Sequence, residues 1–457
     1  MDYNLSEKVT AYGVYPITAQ SSASGYEDSD TASLTYTIGP TITINSNRYL
    51  VITDVITGVT GFSLYIDDVL KGTYSYDYSA NWSIDLDAIE NLADGKHIVK
   101  VCANGDGIAE NRSNDLNYFR GTAPIYGVSG IYGSNPTLTR TDDAEGMSYI
   151  ITSSQGTIDS DFDEVFPWNE AYVSDETVGK MLVMPDMYFR IGYDANNRLT
   201  DVAVSSIPSG GGDWYFIPSF KIGCYGSSLS SSKLASRSGV SRNYTTRANF
   251  RTYARNNGEG YSINDLKHRT VFLLLFMIEY ATKKSDSVMS GHISSGRLST
   301  GGTDDVETPS GFNVSTGQMR YHYIEDFVGN MFEIIDGVYK SPVGTASFVT
   351  DNPNNFSDTT DNKNQLCYVE PSDGWLTALG WDPDNPFMCL PIECSGGSNS
   401  TYFCDYSYSY SGSTAYPVVF CGARCGSSLT YCGLFYFYRM NVTDSDDYCG
   451  ARLLYTS

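Results

Sequence analysis

The sequence predicts a chain made mostly of strands, with small all-β sandwich modules in front and an α+β domain behind them. Length is the first reason: 457 residues exceed what one ordinary core organises, so two or three domains are expected. Composition is the second. Gly is abundant at 43, aromatics reach 14% and charged residues only 18%, a balance that favours strands, turns and loops over long exposed helices. Patterning is the third. Short alternating runs separated by turn signals fill residues 40–122, whereas only two helical patterns occur after them, which suggests an α+β domain.

Residues 1–39 hold two strand-like runs, around Tyr15, Ile17 and Ala19 and around Leu34, Tyr36 and Ile38. Two strands are too few for a sandwich, and the piece resembles the last two strands of a fibronectin- or immunoglobulin-like module, as if the chain started inside a longer protein or were completed by a neighbour. Residues 40–122 read as one whole module. Phe62, Leu64 and Ile66 alternate onto one face, as do Trp82, Ile84 and Leu86, and the Asp94-Gly95 turn feeds the run from His97 to Cys102. The module lacks a Cys-Trp-Cys arrangement and resembles the immunoglobulin-like spacers of bacterial and phage surface proteins. From about Thr122 the sequence becomes irregular and Gly-rich. One helix is expected from Thr246 to Asn256, ended by Asn257-Gly258; a second is expected from near Ser262 to about Lys284. The centre of the second, Val271 to Ala281, is apolar almost all round and should be buried.

Charge limits the partners. With 29 basic against 53 acidic groups the formal net charge is −24, so nucleic acid and anionic membranes are repelled. Met1 to Gln20 show no basic start followed by an apolar run, so no secretory signal is visible. The longest apolar run, Thr270 to Tyr280, is shorter than the ~20 residues a membrane span needs. The expectation is a soluble chain without membrane insertion that reaches a cell exterior, if it does, by release inside an assembled particle.

The end of the chain has a different composition. Between Thr401 and Gly450 there are nine Tyr and seven Ser, with no Lys and no Glu. Tyrosines often alternate, as at Tyr406, Tyr408 and Tyr410 and at Tyr436 and Tyr438. Tyr offers a large amphipathic contact for two torsions, and Ser and Gly add adaptable polar contacts, the mixture found in binding loops. Aromatic alternation equally describes a half-buried strand. Seven of the ten cysteines, Cys389, Cys394, Cys404, Cys421, Cys425, Cys432 and Cys449, lie after residue 388. No C-x-x-C is present, and all four histidines precede the cluster, so zinc is disfavoured. Small apolar thiols or one or two disulfides remain.

Gly329-Asn330-Met331-Phe332-Glu333-Ile334 resembles the G-N-V-W-E-W signature of the formylglycine-generating-enzyme branch of the C-type lectin fold. Gly396-Gly397-Ser398 and Gly450-Ala451-Arg452-Leu453-Leu454-Tyr455 are similar to its G-G-S and G-[AF]-R elements. Phe166-Pro167-Trp168, Met184 to Phe189, Arg247-Ala248-Asn249-Phe250-Arg251 and the GARLLY ending resemble phage tail and receptor-binding proteins of gut bacteria. The resemblance covers about residues 123–457 and implies an α+β C-type lectin-like domain behind all-β immunoglobulin-like modules at 1–39 and 40–122. It further implies a variable protein of a diversity-generating retroelement, with the variable-looking segment at 396–455. Adenine-directed mutagenesis of Asn codons yields Tyr, Ser, Cys, Phe and Asp, the residues in excess here. The candidate ligand-binding residues are then Tyr402, Phe403, Tyr406, Tyr408, Tyr410, Tyr416, Arg424, Tyr431, Tyr436, Tyr438, Arg439, Asn441, Asp444, Asp446 and Tyr448. Phe332 and Glu333 are expected to support the core, with Glu333 hydrogen-bonded.

Catalysis has no strong signal. The related oxidases place a copper-binding cysteine pair after G-G-S, whereas Cys389 and Cys394 precede Gly396 and only Cys404 follows it closely, so the pair does not transfer. No G-x-S-x-G elbow or H-E-x-x-H helix appears, and the paired acids Asp304-Asp305 and Asp446-Asp447 read as solvated loops. No cofactor is expected. Asp382 and Asp384 are the candidates for a calcium ion, though without EF-hand spacing. The expectation is a non-enzymatic phage tail-tip or fibre adhesin, located in the virion or else on a bacterial cell surface. Its partners would be a bacterial surface protein or glycan receptor and, through the N-terminal modules, other virion proteins; a homo-oligomer fits the same role. The alternatives are a surface-glycan depolymerase and a purely structural virion protein.

Overall fold

The computed structural model describes residues 13–19, 32–38, 41–44, 49–53, 55, 58–77, 82–92, 95–105, 113, 116–121, 123–208, 211–341, 346–409, 418–428 and 433–456. The chain divides into two compact units, 1–123 and 124–457. Strands dominate, and there are two α-helices among the described residues. Neither is long and apolar enough to cross a membrane.

In the first unit, Gly13–Ala19 and Ala32–Ile38 form an antiparallel hairpin with Tyr15 opposite Tyr36. Two further antiparallel sheets share one core. Thr41–Ile44, Tyr49–Thr53 and Ser83–Asp85 make the three-stranded sheet; Val69–Ser75, Gly61–Ile66, Gly95–Asn104 and Leu116–Arg120 make the four-stranded one. Period-two alternation puts Phe62, Leu64 and Ile66 wholly inside, against Ile42, Leu50, Ile84, Leu86, Val99 and Val101. Trp82 sits at the rim of that core, its ring 5.4 Å from Phe62. Asp67 and Asp68, at φ of 51° and 62°, supply the left-handed pair that a two-residue hairpin turn demands. Asp94 of the expected turn lies outside the described residues.

In the second unit, helix α1 spans Arg247–Arg255, with Thr246 as the cap accepting the Asn249 N–H. The second helix begins later and ends earlier than the apolar pattern suggests. Helix α2 is Leu266–Tyr280. Tyr261–Ile263 is instead a strand, because its backbone groups pair with the closing strand Leu453–Thr456. Asp265 starts the helix by accepting the His268 N–H at 2.8 Å, and Ala281, at φ 47°, ends it in the left-handed conformation. Every α2 side chain except Lys267 is buried, including the polar His268, Arg269 and Glu279.

Two sheets carry or adjoin the motif segments, and only the second lines the candidate site. One is five-stranded, ordered Tyr172–Glu176, Gly179–Met184, Phe220–Gly223, Leu453–Thr456, Tyr261–Ile263, so the chain's last strand lies inside it. The other is six-stranded, ordered Gly374–Trp375, Tyr406–Tyr408, Phe437–Met440, Val418–Cys421, Phe332–Ile335, Cys449–Gly450. It mixes parallel and antiparallel neighbours and carries Tyr406, Tyr408 and Tyr438.

Candidate functional site: an aromatic cavity on the six-stranded sheet

The Gly329 to Ile334 motif sets the sheet's position. Gly329 has φ 88°, and a Cβ there would meet the His292 backbone nitrogen at 2.5 Å, so the chain crosses at a point only glycine fits. Asn330 is buried, donating to Asp326 at 2.7 Å and to the Leu298 carbonyl at 3.0 Å. In the following strand, alternation sends Glu333 inward and Phe332 to the opposite face.

Glu333 accepts from Arg452 Nε at 3.0 Å and Asn264 Nδ2 at 2.5 Å. Burial acts to raise this carboxyl, but Arg452, with Arg269, Asn264 and Arg242, more than offsets it and holds the group below its ordinary value. Arg452 also donates to the carbonyls of Gly223, Cys224 and Glu325. The two motifs, 119 residues apart, thus meet in one buried ion pair joining the two sheets.

Register determines what each face carries. Tyr408 lies opposite Tyr438 and Ser407 opposite Phe437 in a parallel pair; Phe420 is opposite Tyr438 and Cys421 opposite Phe437. Ser407, Phe437, Arg439 and Cys421 therefore turn to the main core. Tyr406, Tyr408, Tyr436, Tyr438, Phe420 and Phe332 turn the other way. On that second face is a cavity of about 390 Å³ lined by Phe332, Tyr408, Arg424, Ser427, Ser428, Tyr436, Tyr438, Met440, Asp446, Tyr448 and Cys449. The rings of Phe332, Tyr436 and Tyr438 lie within 9° of parallel, with centroids 5.6 to 6.3 Å apart. Tyr408 meets Tyr436 and Tyr438 edge-on, at 62° and 68°. The Arg424 guanidinium lies 4.3 Å from the Tyr448 ring centroid, a cation–π distance.

Six expected ligand-binding residues converge on this cavity: Tyr408, Arg424, Tyr436, Tyr438, Asp446 and Tyr448. Two expectations are corrected. Phe403 is fully buried, its ring 5.1 Å from that of Phe435, because the turn that carries it packs it into the main core. Arg439 is buried too and donates from Nε to Glu370 at 3.2 Å, since it shares the inward parity of Phe437. Tyr402, at φ 58°, packs against the main core and donates its N–H to the Ser134 carbonyl. Tyr406 stands beside the cavity, ring-to-ring with Tyr408 at 4.5 Å. Asn441 and Asp444 close their own turn, with the Asn441 N–H on Asp444 Oδ2 at 2.8 Å. Tyr410, Tyr416 and Tyr431 lie outside the described residues. None of the described tyrosines in this set is freely exposed: Tyr436 is only 6% exposed, and Tyr406, Tyr408, Tyr438 and Tyr448 are half-buried.

Sequence reasoning missed Phe332, Ser427, Ser428, Met440 and Cys449 as cavity residues. Phe332 was readable: once Glu333 is placed inward, its neighbour faces outward. The others depend on pairings between distant strands.

Metal and thiol chemistry find little support in the side chains named for them. The nine described cysteines are free thiols. Burial pushes Cys389 and Cys394 up to about 12 and Cys404 up to about 11, away from the thiolate that a soft metal or oxidase mechanism needs. Asp382 is buried, and both its oxygens accept N–H groups, from Cys367, Asp384 and Asn385; these bonds make it a turn anchor rather than a calcium ligand. Of the paired acids, Asp446 lines the cavity while Asp447 turns to Arg297 at 3.6 Å. Asp304 accepts from Tyr225 and Ser238. A scan against models of known protein families finds no match to this chain, and a search of curated proteins finds none either.

Proposed function

We propose that the chain is a phage tail-tip or fibre adhesin, in which a C-type lectin-like domain displayed behind immunoglobulin-like modules binds a bacterial surface receptor without catalysis. The observation that carries this reading is the aromatic cavity. Four rings, three on strands and Tyr436 just ahead of one, joined by Tyr448 and Arg424, form a concave patch of the type that supplies binding anchors, and all but Phe332 come from the segment whose composition suits recognition. Glu333 and Arg452, buried as one pair, fit the lectin-like motifs as scaffold. Asp446 is the one carboxylate among the described lining residues, whereas glycoside hydrolysis ordinarily takes two; this favours binding over turnover. Retroelement-driven substitution would act on positions such as Tyr408, Tyr436 and Tyr438 while leaving the inward-facing residues in place.

The test is adsorption to host bacteria by the intact chain and by a version with Tyr408, Tyr438 and Tyr448 changed to Ser, at low and high salt. At −24 the chain gains nothing from long-range attraction to a commonly anionic cell surface, so capture by the parent should persist or improve as salt screens repulsion. The Ser version should fail at both. Equal adsorption by the two versions would place the receptor site elsewhere.

A further inference from the structure

Resting on that binding reading, we propose that the cavity selects a carboxylated sugar, with Arg424 as the partner of the carboxylate. The argument starts from the basic residues of the last 62 positions, which number three, all Arg. Arg439 and Arg452 are buried and neutralised by Glu370 and Glu333. Arg424 is different. It is half-exposed at the cavity wall, 4.3 Å from the Tyr448 ring centroid, and its side chain makes one hydrogen bond among the described residues, from Nη1 to the Cys425 carbonyl at 3.3 Å.

The nearby acids do not neutralise it. Asp444 Oδ2 accepts the Asn441 N–H, Asp446 Oδ1 accepts the Tyr448 N–H at 2.8 Å, and Asp447 faces Arg297. No ion pair to Arg424 exists among the described residues. A guanidinium within cation–π distance of a ring and with donors to spare matches a carboxylate in hydrogen-bonding capacity and charge.

The remaining walls favour a sugar as the bearer of that group. The half-buried rings of Tyr408, Tyr438 and Tyr448 border the cavity and can meet the C–H face of a pyranose, and Ser427 and Asp446 add polar atoms at the same wall. A volume near 390 Å³ falls in the range of small-ligand sites, about 300–1,000 Å³, and admits a short saccharide rather than a folded partner.

The experiment is calorimetric titration of the full chain with oligogalacturonate and with its methyl ester, which keeps the rings and masks the charge. Oligoglucuronate and its ester form a second pair, and an Asp/Glu-rich peptide a third arm. We expect at least tenfold tighter binding of an acidic oligosaccharide than of its ester. Arg424→Gln should bring acid and ester to equal affinity with the melting temperature unchanged, and Arg424→Lys should restore part of the preference. Failure of both uronates to bind, equal affinity for acid and ester, a preference that survives Arg424→Gln, or binding of the peptide alone would each overturn the proposal. The adsorption assay separates the two readings. If Arg424→Gln adsorbs to cells like the parent while the tyrosine-to-Ser version does not, the adhesin reading stands and the carboxylate reading falls. If uronate binding depends on Arg424 but both variants still adsorb like the parent, the reverse holds.

Discussion

The two faces of the six-stranded sheet are made from the same strands and serve opposite purposes. Along Phe435 to Met440, odd positions enter the main core: Phe435 is fully buried, Phe437 is 4% exposed, and Arg439 is locked to Glu370. Even positions form the cavity, where Tyr436, Tyr438 and Met440 line its wall. A one-residue change of parity is therefore the difference between a side chain the fold depends on and one a ligand can reach. The comparison also separates the three C-terminal arginines: two sit on the structural side of the sheet system and one on the cavity side.

Substitutions on the structural side should have the largest effects. Arg452→Ala strands Glu333 in the interior with one partner fewer and is expected to cost about 3–5 kcal/mol, the range for breaking a buried pair, read as a drop in the denaturant midpoint of the second unit. Phe437→Ala should cost a similar amount, about 3–5 kcal/mol for a large core truncation. On the other face, Tyr438→Ala removes a half-buried ring and should cost about 1–2 kcal/mol. Equal losses for Phe437→Ala and Tyr438→Ala would dissolve the distinction between the faces.

Acid sharpens the same contrast. Because Glu333 is held below its ordinary value in the folded chain, its contribution is fully present above its unfolded value, about 4.3, and is lost as pH falls through the lower folded value. The stability gap between the parent and Glu333→Gln should be constant near neutrality and shrink below about pH 4. A gap that grows on acidification would contradict the ion-pair assignment. The smallest effect is expected from thiol chemistry. In the native chain a maleimide should label exposed Cys367 well before buried Cys389 or Cys421, with little change in melting. Early labelling of Cys421 would mean that the core face is open.

Local signals were legible in the sequence. Thr246 capping α1, the inward Phe62, Leu64 and Ile66, and the opposed parities of Phe435/Phe437 and Tyr436/Tyr438 all follow from short-range periodicity and capping chemistry. Long-range partners were not. Nothing local says that Tyr406–Tyr408 runs parallel to Phe437–Met440, that Tyr261–Ile263 abandons the helix for the closing strand, or that Arg439 finds Glu370. Those facts depend on which strands meet, and for that reason Phe403 and Arg439 were read as surface while Phe332 was read as scaffold alone.

The central claim is that parity, position by position, divides folding from recognition. The direct measurement is an alanine scan of residues 435 to 440 in which each variant is scored for both melting temperature and adsorption to bacteria. The account predicts that Ala at 435, 437 and 439 lowers melting strongly, whereas Ala at 438 removes adsorption from a chain that still melts cooperatively and close to the parent; Ala at 436, a ring that is both cavity wall and buried, should lower both. Adsorption losses that merely track melting losses at every position would contradict it.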